Sequence, residues 1–290
     1  MNKYKDNKKI NTPIIYSAEN PLRSPLKLIK ELFSNIHSAR ELTWSLTVRD
    51  ITAKYRQTIL GYFWAIFPPI LTSFLFVFLQ KSAVININAN KDVPYPVFIF
   101  SGTILWLLFT DSLNAPLRIL QGNKSMLGKI NFPREALILS AFLQVMFDFL
   151  IRFLILMVVV VYYQYNFHSA MLLYPFLAIL ICLLGIIIGV FLIPIGMLYS
   201  DVISAIPIIT QLWFFITPII YDVSLGTSTS LLFKLNPVTY IFVAVRNIFL
   251  YGNILPYLSI IISYIIVLFI LLFLAWVIYK VTLPLLIERF

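Results

Sequence analysis

Apolar residues fill six long runs of the chain, at about 60–80, 97–120, 136–165, 171–199, 203–221 and 257–279, with short polar breaks between them. A helix needs roughly 20 such residues to cross a hydrocarbon core of about 30 Å. The pattern therefore predicts an all-α membrane protein with six transmembrane helices. An even number of crossings returns both termini to one side. The segment 222–256 breaks the rhythm: LLFKLNPVTYIFVAVRNIFLYGN is too short and too interrupted for a clean span. Asn236-Pro237 and Gly252-Asn253 bound its apolar stretch, which fits two short re-entrant helices on the outer side. A full span there would have to bury Arg246, at high cost in hydrocarbon.

Upstream of the first run the pattern changes twice. Residues 1–40 form a polar, basic N-terminal extension interrupted by Pro13, Pro21 and Pro25, with room for a short helix between Leu26 and Ile36. Over 41–59, Trp44, Val48, Ile51, Tyr55 and Ile59 recur at spacings of three and four, the mark of one helical face. Arg49, Asp50, Lys54 and Arg56 fall outside that face, so an amphipathic helix in the headgroup layer is expected. Leu42, Leu46 and Ala53 lie on its other side, available to a second protein element. Residues 60–290 make up the transmembrane domain.

Composition sharpens the class. The chain is 60% hydrophobic and 12% charged, where soluble chains are about one quarter charged. A net charge of +10 raises the question of nucleic acid, but 11 of the 22 Lys and Arg precede Tyr62. With the N-terminus inside, the inner segments, Arg118 included, hold 17 of them and the outer segments four. Such asymmetry is the positive-inside signature, with both termini cytoplasmic, and no nucleic-acid partner is expected. The first sixty residues lack the compact apolar core and cleavage site of a secretory signal. Cys182 is the only cysteine, and His37 and His168 stand alone, so neither a disulfide framework nor a metal site is expected.

No residues fit a catalytic role. QGNKSM at 121–126 lacks the spaced glycines of a phosphate-binding loop, and neither a GxSxG elbow nor an HExxH helix occurs. Asp148 and Arg152, one helical turn apart, have the spacing of an intramembrane ion pair. Asp111 and Arg118 are seven apart on the second run, where snorkelling or pairing between helices is expected. Tyr62, Trp64, Trp106 and Phe109 are candidates to line a conduit, where rings meet sugar C–H faces. The inner loop GNKSMLGKINFPREALILS carries Lys124, Lys129 and Arg134 and places Pro133 just before the next run.

Together these stretches resemble the membrane subunits of ABC transporters of the ABC-2 type that export lipid-linked polysaccharides such as O-antigen, teichoic acid and capsule. The resemblance rests on RDITAKYRQTILGYFWAIFPP entering the first run, KINFPREALILSAF after the second, SDVISAIPIITQLWFFITPIIYDV through the fifth and LNPVTYIFVAVRNIFLYG before the sixth. It implies a homodimer joined to two copies of a separate ATP-binding subunit, in a bacterial inner membrane. ATP and Mg would belong to that partner, and this chain would hold no cofactor. The substrate would be an undecaprenyl-diphosphate-linked glycan. By position, Arg49, Lys54, Tyr55 and Arg56 fall in the interface helix that meets substrate. Phe132, Pro133, Arg134 and Glu135 fall in the coupling loop, 122–135, and Asn236, Pro237 and Arg246 in the external helices. Two places depart from the family pattern: Ser200 precedes Asp201-Val202 where a basic residue is common, and Pro68-Pro69 replaces an Asn-Pro. The residues alone leave three rival readings open: an exporter of small hydrophobic compounds, a membrane enzyme acting on the carrier lipid, and an ion-coupled flippase.

Overall fold

The computed structural model describes residues 25–56, 59–82, 93–130, 132–221 and 235–287, with side chains from Ser38 onward. Helix α1 spans Pro25–Arg56, α2 Phe63–Lys81, α3 Tyr95–Gly122, α4 Lys124–Lys129 and α5 Glu135–Tyr162. Then come a 3-10 turn at Ser169–Leu173, α6 at Tyr174–Gly196, α7 at Ser200–Ile216 and α8 at Pro237–Tyr251. A second 3-10 turn, Leu255–Tyr257, leads into α9 at Leu258–Ile287. Among the described residues there are no strands, and five helices (α2, α3, α5, α6 and α9) are long and apolar enough to cross a membrane.

The helix expected over 41–59 starts earlier, with Pro25 in its first turn, and stops at Arg56. Gly61, at φ +49°, turns the chain toward α2. Trp44 and Val48 lie exposed, as their stripe predicts, while Ala39, Thr43, Leu46 and Thr47 bury the opposite face as α1 packs along α5. Tyr55 leaves the expected stripe: it is buried against the bundle.

Helix α3 is the axis of the fold. It packs against α2, α5, α6 and α8, and most of its length is buried. Its tightest seam is with α6, where Gly185 and Gly189 stand four apart and let the backbones approach. A Cβ at position 189 would come within 2.3 Å of the Leu113 carbonyl oxygen, an atom that cannot rotate away. Gly189→Ala is therefore expected to destabilise the bundle by about 1–3 kcal/mol, the usual range for overpacking. Gly128→Ala, where nothing lies within 4 Å, serves as the control, and thermal unfolding of the two proteins in detergent checks the difference.

The fifth apolar run, 203–221, does not form one helix. Thr217 precedes Pro218, which disfavours helical backbone at the residue before it, and α7 ends there with Thr217 at φ −87° and ψ 135°. The chain continues non-helically through Tyr221, with Thr217 and Ile219 fully buried. Of the segment 222–256, where re-entrant helices are expected, the structure describes residues 235–256. There α8 is one 15-residue helix, started by Asn236-Pro237 and ended by Gly252 at φ +75°.

A charged seam between the first helix and the bundle

Asp148 and Arg152 do not pair with each other. Asp148, on α5, accepts hydrogen bonds from Lys54 Nζ at 2.5 Å and from the Tyr55 hydroxyl. Both donors come from the last turns of α1, so this carboxylate ties α1 to the bundle. Burial first, and the bond to Asp148 second, push the Tyr55 hydroxyl well above its ordinary range, which keeps it a donor. The Tyr62 ring packs on Tyr55 with centroids 4.2 Å apart and planes tilted by 32°.

Arg152 instead reaches two other helices. Its Nη1 meets Asp111 Oδ2 on α3 at 2.7 Å, and its Nε donates to the Ala65 carbonyl on α2 at 3.0 Å. Pro69, four residues after Ala65, has no N–H to give that carbonyl, so Arg152 replaces the missing helical donor. The proline pair and the arginine, 83 positions apart, solve one hydrogen-bonding problem between them.

Nearer the α4 end, α1, α3 and α5 enclose a cavity of about 340 Å³. Arg49, Asp50 and Lys54 line it from α1, Arg118 from α3, and Gln144 from α5, with Asn123 at the α3–α4 junction. Arg49 bonds Asp50 at 2.7 Å and Asn123 Oδ1 at 2.9 Å, and Gln144 holds the other Asp50 oxygen at 3.1 Å. Arg56 is exposed and is not among the lining residues. Sequence reasoning missed Arg118, Asn123 and Gln144 as parts of a site. Their only signal was a cluster of polar side chains at the ends of two apolar runs that fold back on each other.

The remaining predicted residues scatter. Trp106 and Phe109 are core residues, packed edge-on against Trp213. Tyr62 and Trp64 lie on the surface, Trp64 with its edge to Phe67. Several tyrosine hydroxyls are already committed to backbone carbonyls: Tyr95 to Ile220, Tyr174 to Ser101 and Tyr264 to Pro237. In the loop, Phe132 is buried, and Pro133, Arg134 and Glu135 are half-buried. The Arg134 carbonyl accepts from the Tyr279 hydroxyl at 2.9 Å, which fixes this stretch to α9. Beside it Ser125, Gly128, Lys129 and Ile130 are the exposed residues.

Arg246, expected among the external helices, lies on α8 with its side chain inside the bundle. It is fully buried, with its guanidinium 4.1 Å from the Phe98 ring centroid. Its Nη1 donates to the carbonyls of Pro218 and Ile219 at 2.6 and 3.3 Å, the groups left open by the end of α7. Asn236 closes the same junction: Oδ1 accepts from Val238 N and Trp213 Nε1, and Nδ2 donates to Thr217 Oγ1 at 3.0 Å.

Comparison with known proteins places this architecture. The profile of the ABC-2 type transporter family matches residues 41–250. The chain belongs to the ABC-2 type transporter family. As a member it is a multi-pass membrane protein and a transporter subunit. The match begins within α1 and ends at Leu250 of α8, so it takes in the charged seam and the Arg246 junction. Among relatives, the O-antigen export system permease protein RfbA of Myxococcus xanthus is 25% identical over 235 residues, covering 80% of this chain and 86% of that protein. The protein of the same name from Klebsiella pneumoniae is 25% identical over 215 residues, 72% of this chain and 80% of its own length. The polysialic acid transport protein KpsM of Escherichia coli is 25% identical over 185 residues, 61% and 68% of the two chains.

Proposed function

We propose that this ABC-2 chain is the permease subunit of an ATP-driven exporter that carries an undecaprenyl-diphosphate-linked, O-antigen-like polysaccharide across the bacterial inner membrane. The observation that carries the reading is its similarity, over most of its length, to permeases named for exporting O-antigen and to one named for transporting polysialic acid. Two copies of the chain work with two separate ATP-binding subunits, which hold ATP and Mg. Both termini are cytoplasmic, so α4 and the α1 cavity face inward.

In this arrangement α7 and the segment through Tyr221 together make the fifth of six crossings, and α8 is a re-entrant helix in the outer half. The exposed rim of α4, Lys129 and Ile130 above all, meets the ATPase. Phe132 to Glu135, fixed to α9 through Tyr279, transmit the push into α5 and α9. The cationic cavity beside α1 receives the substrate's diphosphate while its lipid tail stays in the bilayer.

Complementation tests the function directly. In a strain deleted for this chain and its ATP-binding partner, polysaccharide should reach the cell surface only when both are restored and the partner hydrolyses ATP. Surface polysaccharide from the permease alone, or from a complex with a hydrolysis-dead partner, would refute ATP-driven export.

A further inference from the structure

We propose that the cavity between α1, α3 and α5 is a seat for the phosphate of a membrane lipid, with Arg118 as its free cation. The carrier diphosphate of the proposed function and an ordinary phospholipid headgroup share this chemistry. Only the choice of carrier as one probe rests on that function.

The charge balance points to an anion. Three cations and one carboxylate line the cavity: Arg49, Lys54 and Arg118 against Asp50. Lys54 is committed to Asp148 and Arg49 to Asp50, each through an ion pair. Arg118 is exposed, and among the described residues no carboxylate or hydrogen-bond acceptor engages it. Arg49 donates to Asp50 and Asn123, Asn123 to the Ile119 carbonyl and Gln144 to Asp50, and the Arg49 guanidinium and the two amide groups each keep further N–H bonds for a ligand. A guanidinium beside amide donors is the arrangement that binds phosphate oxygens. At about 340 Å³ the space lies at the lower end of the range for ligand pockets, roughly 300–1,000 Å³.

Depth points to a lipid. The exposed pair Tyr162 and Tyr163 ends α5 and marks the far interface. Gln144 precedes Tyr162 by 18 residues on α5, roughly 27 Å at 1.5 Å per residue. Arg118 follows Tyr95 by 23 residues on α3, roughly 35 Å on the same rise. With a hydrocarbon core of about 30 Å, these two side chains bracket its inner boundary, the depth at which lipid phosphates sit. Lys54, bound to Asp148, holds α1 in place and so forms one wall, and it is not the residue that meets the phosphate.

The test reads lipid retention by the full-length chain, purified in detergent and followed by native mass spectrometry. The probes are undecaprenyl diphosphate, phosphatidylglycerol, phosphatidylcholine as the zwitterionic reference, and inorganic pyrophosphate as a competitor. Arg118→Gln is expected to lower retention of at least one anionic lipid by about tenfold, the scale of one charge-assisted contact. Arg118→Lys should restore part of it, and Lys280→Gln, on α9, should leave it unchanged. A loss confined to undecaprenyl diphosphate assigns the seat to the carrier, and an equal loss for phosphatidylglycerol assigns it to lipid phosphates generally. Competition by pyrophosphate shows that the headgroup alone suffices. Wild-type retention of both anionic lipids by a folded Arg118→Gln chain overturns the proposal. So does loss of the ATP-binding partner with lipid retention intact, which would make the cavity a dock for acidic side chains. Binding is read without transport, so a chain that holds the carrier but exports no polysaccharide refutes the proposed function and leaves the seat standing.

Discussion

Asp111→Leu is expected to destabilise the chain by roughly 3–5 kcal/mol, the cost of stranding one member of a buried ion pair. Arg152 lies ten residues before the end of α5, about 15 Å from that end at 1.5 Å per residue, and its side chain is 7% exposed. Without Asp111 its guanidinium keeps the Ala65 carbonyl but has no counter-charge. Adding Arg152→Met should recover much of that loss, because no bare charge then remains. What persists is the open Ala65 carbonyl, worth about 1–3 kcal/mol. Asp148→Leu should cost less than Asp111→Leu: its partner Lys54 is 49% exposed and can turn to water. Thermal unfolding followed by tryptophan fluorescence ranks the four proteins. If Asp148→Leu is the worse of the two single variants, or if Arg152→Met recovers none of the Asp111→Leu loss, the assignment of partners is wrong.

That cycle also marks how far the sequence could be read. Five of the six apolar runs, the outward stripe of Trp44 and Val48, and the family were legible, because they depend on local periodicity or on contiguous motifs. Ion-pair partners were not. A spacing of four on one helix shows that Asp148 and Arg152 are able to meet, but says nothing of Asp111 or Lys54, which come from helices elsewhere in the chain. The winning contacts follow from how α1, α2 and α3 dock on α5, and from Pro69 leaving Ala65 without its donor. The cavity was hidden for the same reason: Arg118 and Gln144 are 26 positions apart and become neighbours only when α3 and α5 pack. The cost that the sequence assigns to burying Arg246 had one term missing. Burial of a guanidinium in hydrocarbon is costly when it stands alone, but Thr217-Pro218 opens two carbonyls that it can satisfy.

Arg246→Met is expected to leave little folded protein, because the residue holds together a stretch of buried backbone that no helix supports. Methionine fills much of the volume and carries no charge, so the variant removes donors with little change in packing. It leaves the Pro218 and Ile219 carbonyls without those donors, at about 1–3 kcal/mol each. The guanidinium contact with Phe98 is lost as well, worth about 2 kcal/mol when desolvated. Together these approach the 5–15 kcal/mol that holds a typical domain folded. Arg246→Lys keeps the charge but not the planar fork, and should retain one carbonyl and an intermediate stability. Failure to fold would by itself say only that the residue matters, so the lysine variant carries a second readout. Cys182 is buried and the only native cysteine, so a cysteine placed at Tyr221 reports thiol labelling from that position. If Arg246 pins the end of α7, labelling at 221 should rise in the lysine variant before the bundle as a whole unfolds. Unchanged labelling, or a methionine variant as stable as wild type, would mean that the junction is held by Asn236, Thr217 and Trp213 alone. The order matters for transport: a helix that ends inside the bundle needs its open carbonyls closed from a neighbour, and here the neighbour is α8, so any movement of α8 must first release the end of α7.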